Sequence, residues 1–227
     1  MRARRRGMAS TVSLLLLLLV LAATASSPLL AVAAPTLPPS PSPVPPPPCV
    51  PPHPTVAFLR ARCGSTQYHL TCYDSLIAYG CAFQTSPVKL ARAAADVNAA
   101  RLRALSAGVK ELAARGGVPA AEAAALRECA STVSTAAGLA KETAAELAKL
   151  DAAGAAAGKS QVRWAISNAQ TWLSAAMTNE ATCADGLGAA GPAKSPAARD
   201  VVIGVVSAKE HTSIALALVN GMPLPPL

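Results

Sequence analysis

The chain has 227 residues, of which 52% are hydrophobic and only 3% aromatic, with a formal charge of +8. Four of its 20 basic residues fall within the first six positions; beyond residue 7, 16 Lys and Arg face 12 Asp and Glu, so the body of the chain is only mildly basic. Cations scattered along the sequence with no interleaved aromatic run exclude nucleic-acid tracking and base stacking, and leave a modest positive surface suited to acidic partners such as polyuronides or an acidic protein.

Arg2, Arg4, Arg5 and Arg6 precede a stretch, 12–23, that is almost purely Leu, Val and Ala. That charged-then-apolar order predicts a secretory signal peptide over 1–25, cut after Ala25 or at a second small-residue cluster near Ala34. A membrane anchor needs about 20 apolar residues in a row, and Thr24, Ser26, Ser27 and Pro28 interrupt this run. The mature chain is therefore expected outside the cell and off the membrane. Residues 35–54, PTLPPSPSPVPPPPCVPPHP, cannot bury a core and read as a stiff polyproline linker, with a wall anchor as the functional alternative.

From Thr55 the pattern changes. Thr55 is a candidate helix cap, Cys63-Gly-Ser-Thr a turn, and Cys72 to Phe83 resumes apolar spacing through Leu76, Ile77 and Tyr79. A hairpin over 55–84 is too small to stand alone; a Cys63 to Cys72 bridge would staple it, removing about 3 kcal/mol of denatured-state freedom.

Four long helical stretches follow over 86–221. Ser86-Pro87 is a cap followed by proline at the first helical position, opening a helix that ends near Arg115 at Gly116-Gly117. Leu102, Leu105, Val109 and Leu112 share its inner face. The second runs from Pro119 to about Leu150, and its Leu126, Ala130, Val133, Ala137, Ala140, Ala144 and Leu147 alternate steps of four and three, the seam of a left-handed bundle. Asp151 to Lys159 reads as an Ala/Gly loop and Ser160 as the cap of the third helix. Its central stretch, Asn168 to Leu187, places Ala169, Trp172, Leu173 and Ala176 at helical spacing, carries polar Thr178, Asn179 and Glu180, and ends at Cys183 with Gly186 as a left-handed stop. Leu187 to Lys194 is the next break. Ser195-Pro196 then repeats the cap-and-proline device, and the fourth helix runs through Val202, Val205, Ile214 and Leu218 to Gly221. The prediction is an all-α protein: an up-down-up-down four-helix bundle about 40 Å long, preceded by a disulfide-stapled helical hairpin.

Six cysteines, at 49, 63, 72, 81, 129 and 183, in a chain with a leader predict a disulfide framework. Fifteen pairings are open to six cysteines. Cys63 and Cys72 flank a turn, and Cys129 and Cys183 fall on neighbouring antiparallel helices; Cys49 is left free, paired to Cys81, or intermolecular. Without a CxxC, and with His53, His69 and His211 isolated, no metal site is expected. Gly186-Leu-Gly188-Ala-Ala-Gly191 matches a dinucleotide fingerprint by letter, but it follows a helix and precedes Pro192, so it reads as an interhelix loop. No nucleophile elbow, zinc-protease helix or phosphate loop occurs, which predicts a non-enzyme without cofactor. His211 reads as a surface residue, and Trp164 and Trp172 as core filling.

The segment FLRARCGSTQYHLTCYDSL (58–76), the Leu126-Arg-Glu-Cys129 environment, QTWLSAAMTNEATCADGL (170–187) and Thr212-Ser-Ile-Ala-Leu-Ala-Leu-Val together resemble the plant invertase and pectin methylesterase inhibitors. The resemblance covers about residues 55–221. It implies a four-helix bundle with an N-terminal hairpin, disulfides Cys63–Cys72 and Cys129–Cys183, no catalytic activity, and stoichiometric complexes that block the substrate cleft of a plant cell-wall enzyme. The loop DAAGAAAGKS lacks the Pro-Lys-Phe usual in invertase-directed members, so the resemblance points to pectin methylesterase as partner, with acid invertase second and a non-inhibitory wall protein third. Thr178 and Asn179 are the expected partner-binding residues. The chain departs from the family at Tyr68-His69, where Tyr-Pro is usual, and at Cys49.

Overall fold

The computed structural model describes residues 49–189 and 195–224. The leader, most of the proline-rich stretch and the 190–194 part of the third interhelix break lie outside the described residues. The described residues form helices α1 (His53–Gly64), α2 (His69–Leu76), α3 (Gly80–Phe83), α4 (Pro87–Ala114), α5 (Ala120–Ala153), α6 (Lys159–Ala189) and α7 (Pro196–Asn220), with 3-10 turns at Ile77–Tyr79 and Gly154–Ala156. No strand occurs among them, and the all-α bundle with its stapled hairpin is the fold the sequence predicts.

The four long helices close a ring in which α4 packs on α5, α5 on α6, α6 on α7 and α7 on α4, so that α4 and α6 stand at opposite corners. Two apolar clusters fill it. One joins the start of α4, the end of α5, the start of α6 and the end of α7 around Leu90, Leu147, Ile166, Leu173, Ile214 and Leu218. The other joins the opposite helix ends around Leu102, Val109, Leu126, Val133, Leu187 and Val205. That alternation of starts and ends is the up-down-up-down order. All seven predicted seam residues of α5 are buried. So many are alanine that the helices meet closely but present few large side chains to one another.

The ends of the helices show where local chemistry dominates. Ser86 and Ser195 accept from the backbone N–H of Lys89 and Ala198, as their positions before proline predict. The predicted loop from Asp151 is shorter than expected, because α5 continues to Ala153 and stops only where Gly154 takes a φ of +51°. Ser160 does not cap α6: the helix already begins at Lys159, its ladder opening with Val162 N–H on the Gly158 carbonyl. Gly186 is not a stop either. It lies inside α6, whose seam continues through buried Cys183 and Leu187, and the helix runs three residues past it.

The hairpin sits on the bundle end formed by the start of α4 and the end of α7. Leu59, Leu76 and Phe83 enter that core, and Arg62 Nη1 donates to the Gly221 carbonyl at 2.8 Å. Cys63 is bridged to Cys72 and Cys129 to Cys183, with Cα separations of 5.5 and 4.2 Å. A third bridge joins Cys49 to Cys81. It draws the end of the proline-rich stretch onto the domain: α1 begins at His53, inside the predicted linker, and Thr55 is a buried helical residue instead of a cap. His69 opens α2, and its Nδ1 lies 3.1 Å from the Cys63 carbonyl oxygen across the turn.

Candidate partner-binding face

Helix α6 has two contrasting sides. Its inner side presents Ala169, Leu173, Ala176, Glu180, Cys183 and Leu187, all buried. Its outer side presents Trp164, Ser167, Thr171, Ser174, Thr178 and Thr182, all exposed, at steps of three and four residues. Over about 27 Å at 1.5 Å per residue, from Trp164 to Thr182, this outer side carries no charged residue, because the only ionisable group in the interval, Glu180, points inward.

The three threonine hydroxyls on this face are turned back into the helix. Thr171 donates to the Ser167 carbonyl at 2.9 Å, Thr178 to Ser174 at 3.1 Å and Thr182 to Thr178 at 2.9 Å. Half-buried Asn179 likewise donates through Nδ2 to the Ala175 carbonyl at 2.9 Å. With their polar hydrogens used locally, these side chains offer an uncharged surface that loses little solvation when covered. The two residues singled out from sequence therefore differ: Thr178 is on the exposed face, and Asn179 is on its edge.

Trp164, expected in the core, is 68% exposed at the N-terminal end of the same face. Trp172 is half-buried. The seam positions of α6 explain the difference, since Ala165, Ile166 and Ala169 occupy the inner side and place Trp164 outward. An exposed tryptophan beside a charge-free stripe is the composition of a protein-binding anchor.

Behind that face lies a buried polar network. Asn98 of α4 donates to the Thr212 hydroxyl at 2.9 Å, and Thr212 of α7 bonds in turn to Glu180 Oε1 of α6. Glu180 is fully buried, and its Oε2 has no hydrogen-bond partner among the described residues. Burial pushes its carboxyl up from 4.5 to about 7, against the lowering effects of the Thr212 bond and the Lys209 charge. His211, expected on the surface, is buried; desolvation and the Arg101 charge hold its imidazole below the ordinary value, against its Ser207 carbonyl bond and the Glu210 charge. Asn98 and Thr212 lie between the residues that the two apolar clusters take from α4 and α7, so the network marks their junction. Sequence spacing held the signal: Glu180 falls four after Ala176 and three before Cys183, and His211 three after Ala208 and four before Ala215.

The chain as a whole is similar to known proteins. A family model described as plant invertase/pectin methylesterase inhibitor matches residues 57–218. The chain is 31% identical over 166 residues to pectinesterase inhibitor 11 of Arabidopsis thaliana, covering 73% of this chain and 80% of that one. It is 32% identical over 167 residues to a 21 kDa protein of Daucus carota, covering 74% and 84%. A crystal structure of a mutant form of a pectin methylesterase inhibitor from Arabidopsis shares the fold, with a TM-score of 0.54 at 22% identity over 72% of this chain and 95% of that one. By the span of the family match and the identity to its curated relatives, the chain belongs to the plant invertase/pectin methylesterase inhibitor family.

Proposed function

We propose that this chain is a secreted inhibitor of pectin methylesterase that binds the enzyme one-to-one and covers its pectin-binding cleft with the outer face of α6. The family is one of inhibitor proteins, not enzymes. The observation that carries the reading is the charge-free stripe from Trp164 to Thr182. A surface without charges is covered at little desolvation cost, and a helix locked by Cys129–Cys183 loses little freedom on binding. Thr178 lies in the second half of that stripe, and Trp164 anchors its start.

Secretion to the cell wall fits the arginine-then-leucine leader and three disulfides, which persist in an oxidising compartment. The domain organisation that goes with this is a leader over 1–25, a proline-rich linker from 35, and an inhibitor domain extending to Gly221. Titration of the purified chain into pectin methylesterase, and separately into acid invertase, tests the proposal. The expected result is a linear loss of esterase activity that ends at one equivalent of inhibitor, with invertase untouched; inhibition of invertase alone would overturn it.

A further inference from the structure

The cations are unevenly shared among the helices. Residues 87–115 hold six Lys and Arg against two acids, whereas the rest of the described residues hold nine against ten. The whole positive excess of the described chain therefore belongs to α4. Its outermost line runs Lys89, Arg92, Asp96, Ala100, Arg103, Ala107, Lys110, Ala114, in steps of three and four residues, and every member is exposed. From Lys89 to Lys110 the line spans about 31 Å.

We propose that this ridge is a docking site for an acidic polysaccharide, a linear polymer with a carboxylate on each sugar. Three observations select that class. The cations lie in a line and not in a compact patch, so a chain with charges repeated along its length meets more of them than a globular surface does. Along that line the cations are separated by Asp96 and alanines, which offer neither the aromatic and aliphatic wedges that a membrane surface needs nor the buried anchors of a protein interface. At one end, Lys89 and Arg92 share a cleft of about 390 Å³ with Tyr79, a residue that is 46% exposed. Its ring can stack on the apolar face of a sugar beside two cations. Asp96 and Asp151 share the cleft and supply acceptors for sugar hydroxyls; Asp96 is 3.7 Å from Arg92, an exposed pair that salt screens readily.

Because α4 and α6 occupy opposite corners of the bundle, a polymer on the ridge leaves the outer face of α6 open. The inhibitor could then rest on the acidic product of pectin de-esterification while engaging an enzyme. The ridge itself stands independently of which enzyme is inhibited.

Calorimetry of the full secreted chain against polygalacturonate, fully methyl-esterified polygalacturonate and phosphatidylserine vesicles, at low and high salt, tests the inference. The expected result is binding to polygalacturonate alone, lost at high salt. The triple variant R92Q/R103Q/K110Q is expected to bind it at least about tenfold more weakly, while R127Q/K141Q/K149Q, which removes the same charge from α5, binds as the parent does. Equal binding to the esterified polymer, equal weakening in both variants, or binding to vesicles only would overturn it. Both variants are expected to inhibit pectin methylesterase as the parent does, so a chain that inhibits nothing yet binds polygalacturonate would sink the inhibitory reading and leave the ridge in place.

Discussion

Glu180→Gln is expected to stabilise the protein above neutral pH and leave it nearly unchanged in acid. The carboxyl is fully buried with one oxygen unpartnered, and burial raises it from 4.5 to about 7. A folded value above the unfolded one means that the folded state holds its proton more tightly. The group therefore costs almost nothing below 4.5; its penalty builds from there, as the unfolded carboxyl ionises while the buried one keeps its proton, and is complete once pH has risen through 7. A shift of that size corresponds to about 3 kcal/mol. His211 works in the opposite direction, since an imidazole held below its ordinary value loses stability as pH falls through 6.5. Because His211 titrates in both proteins, the difference between parent and variant isolates Glu180. Paired thermal melts at pH 4 and pH 8 are the assay. The variant should melt at about the parent temperature at pH 4, and roughly 6–12 °C above it at pH 8 for a domain of this size. A loss of stability that is equal at both pH values would refute the reasoning, and would mean that Glu180 is held ionised by its neighbours.

Two other perturbations test the packing. Replacing Cys129 and Cys183 by alanine opens a loop of 54 residues and should cost about 4 kcal/mol in the chain-entropy model, more than the about 3 kcal/mol for the Cys63 and Cys72 pair; chemical denaturation that ranks them the other way would contradict this. Gly80→Ala would place a Cβ 2.5 Å from Pro51 Cγ and 2.7 Å from its Cβ, so the strap held by Cys49–Cys81 must shift, costing about 1–3 kcal/mol. A melting temperature equal to the parent's would show that Pro51 does not pack there.

The bundle was legible because its periodicity is nearly unbroken. The four-three steps of α5 from Leu126 to Leu147 and the two Ser-Pro caps place three of the long helices without any tertiary information. What failed were inferences from residue type alone. His211 read as a surface residue because charged and polar side chains are usually solvated, yet it sits at seam spacing, as Glu180 does, and its neighbours along the helix decide its side. Trp164 was misplaced for the converse reason, since its size suggested core although its register points out. Gly186 has the composition of a helix stop, but Leu187 continues the buried seam and packing overrides the local preference. The partner of Cys49 depended on a fold-back of the proline-rich stretch, which has no periodicity to read. Of the candidate site, Thr178 was visible in the sequence. The absence of charge across the whole face appears only once Glu180 is known to point inward.

The central claim is that the uncharged outer face of α6 is what covers the enzyme. Ser174→Arg with Thr178→Arg puts two cations in the middle of that face, at exposed positions whose substitution leaves the core intact. The direct measurement is the inhibition constant of this double variant against pectin methylesterase, with Ile203→Arg on the exposed side of α7 as the control. The account predicts that the α6 variant melts at the parent temperature and inhibits at least about a hundredfold more weakly, as expected when two unpaired charges are forced into a covered interface, while the α7 control is unaffected. Full inhibition by the α6 variant, or loss of inhibition in the control alone, would contradict it.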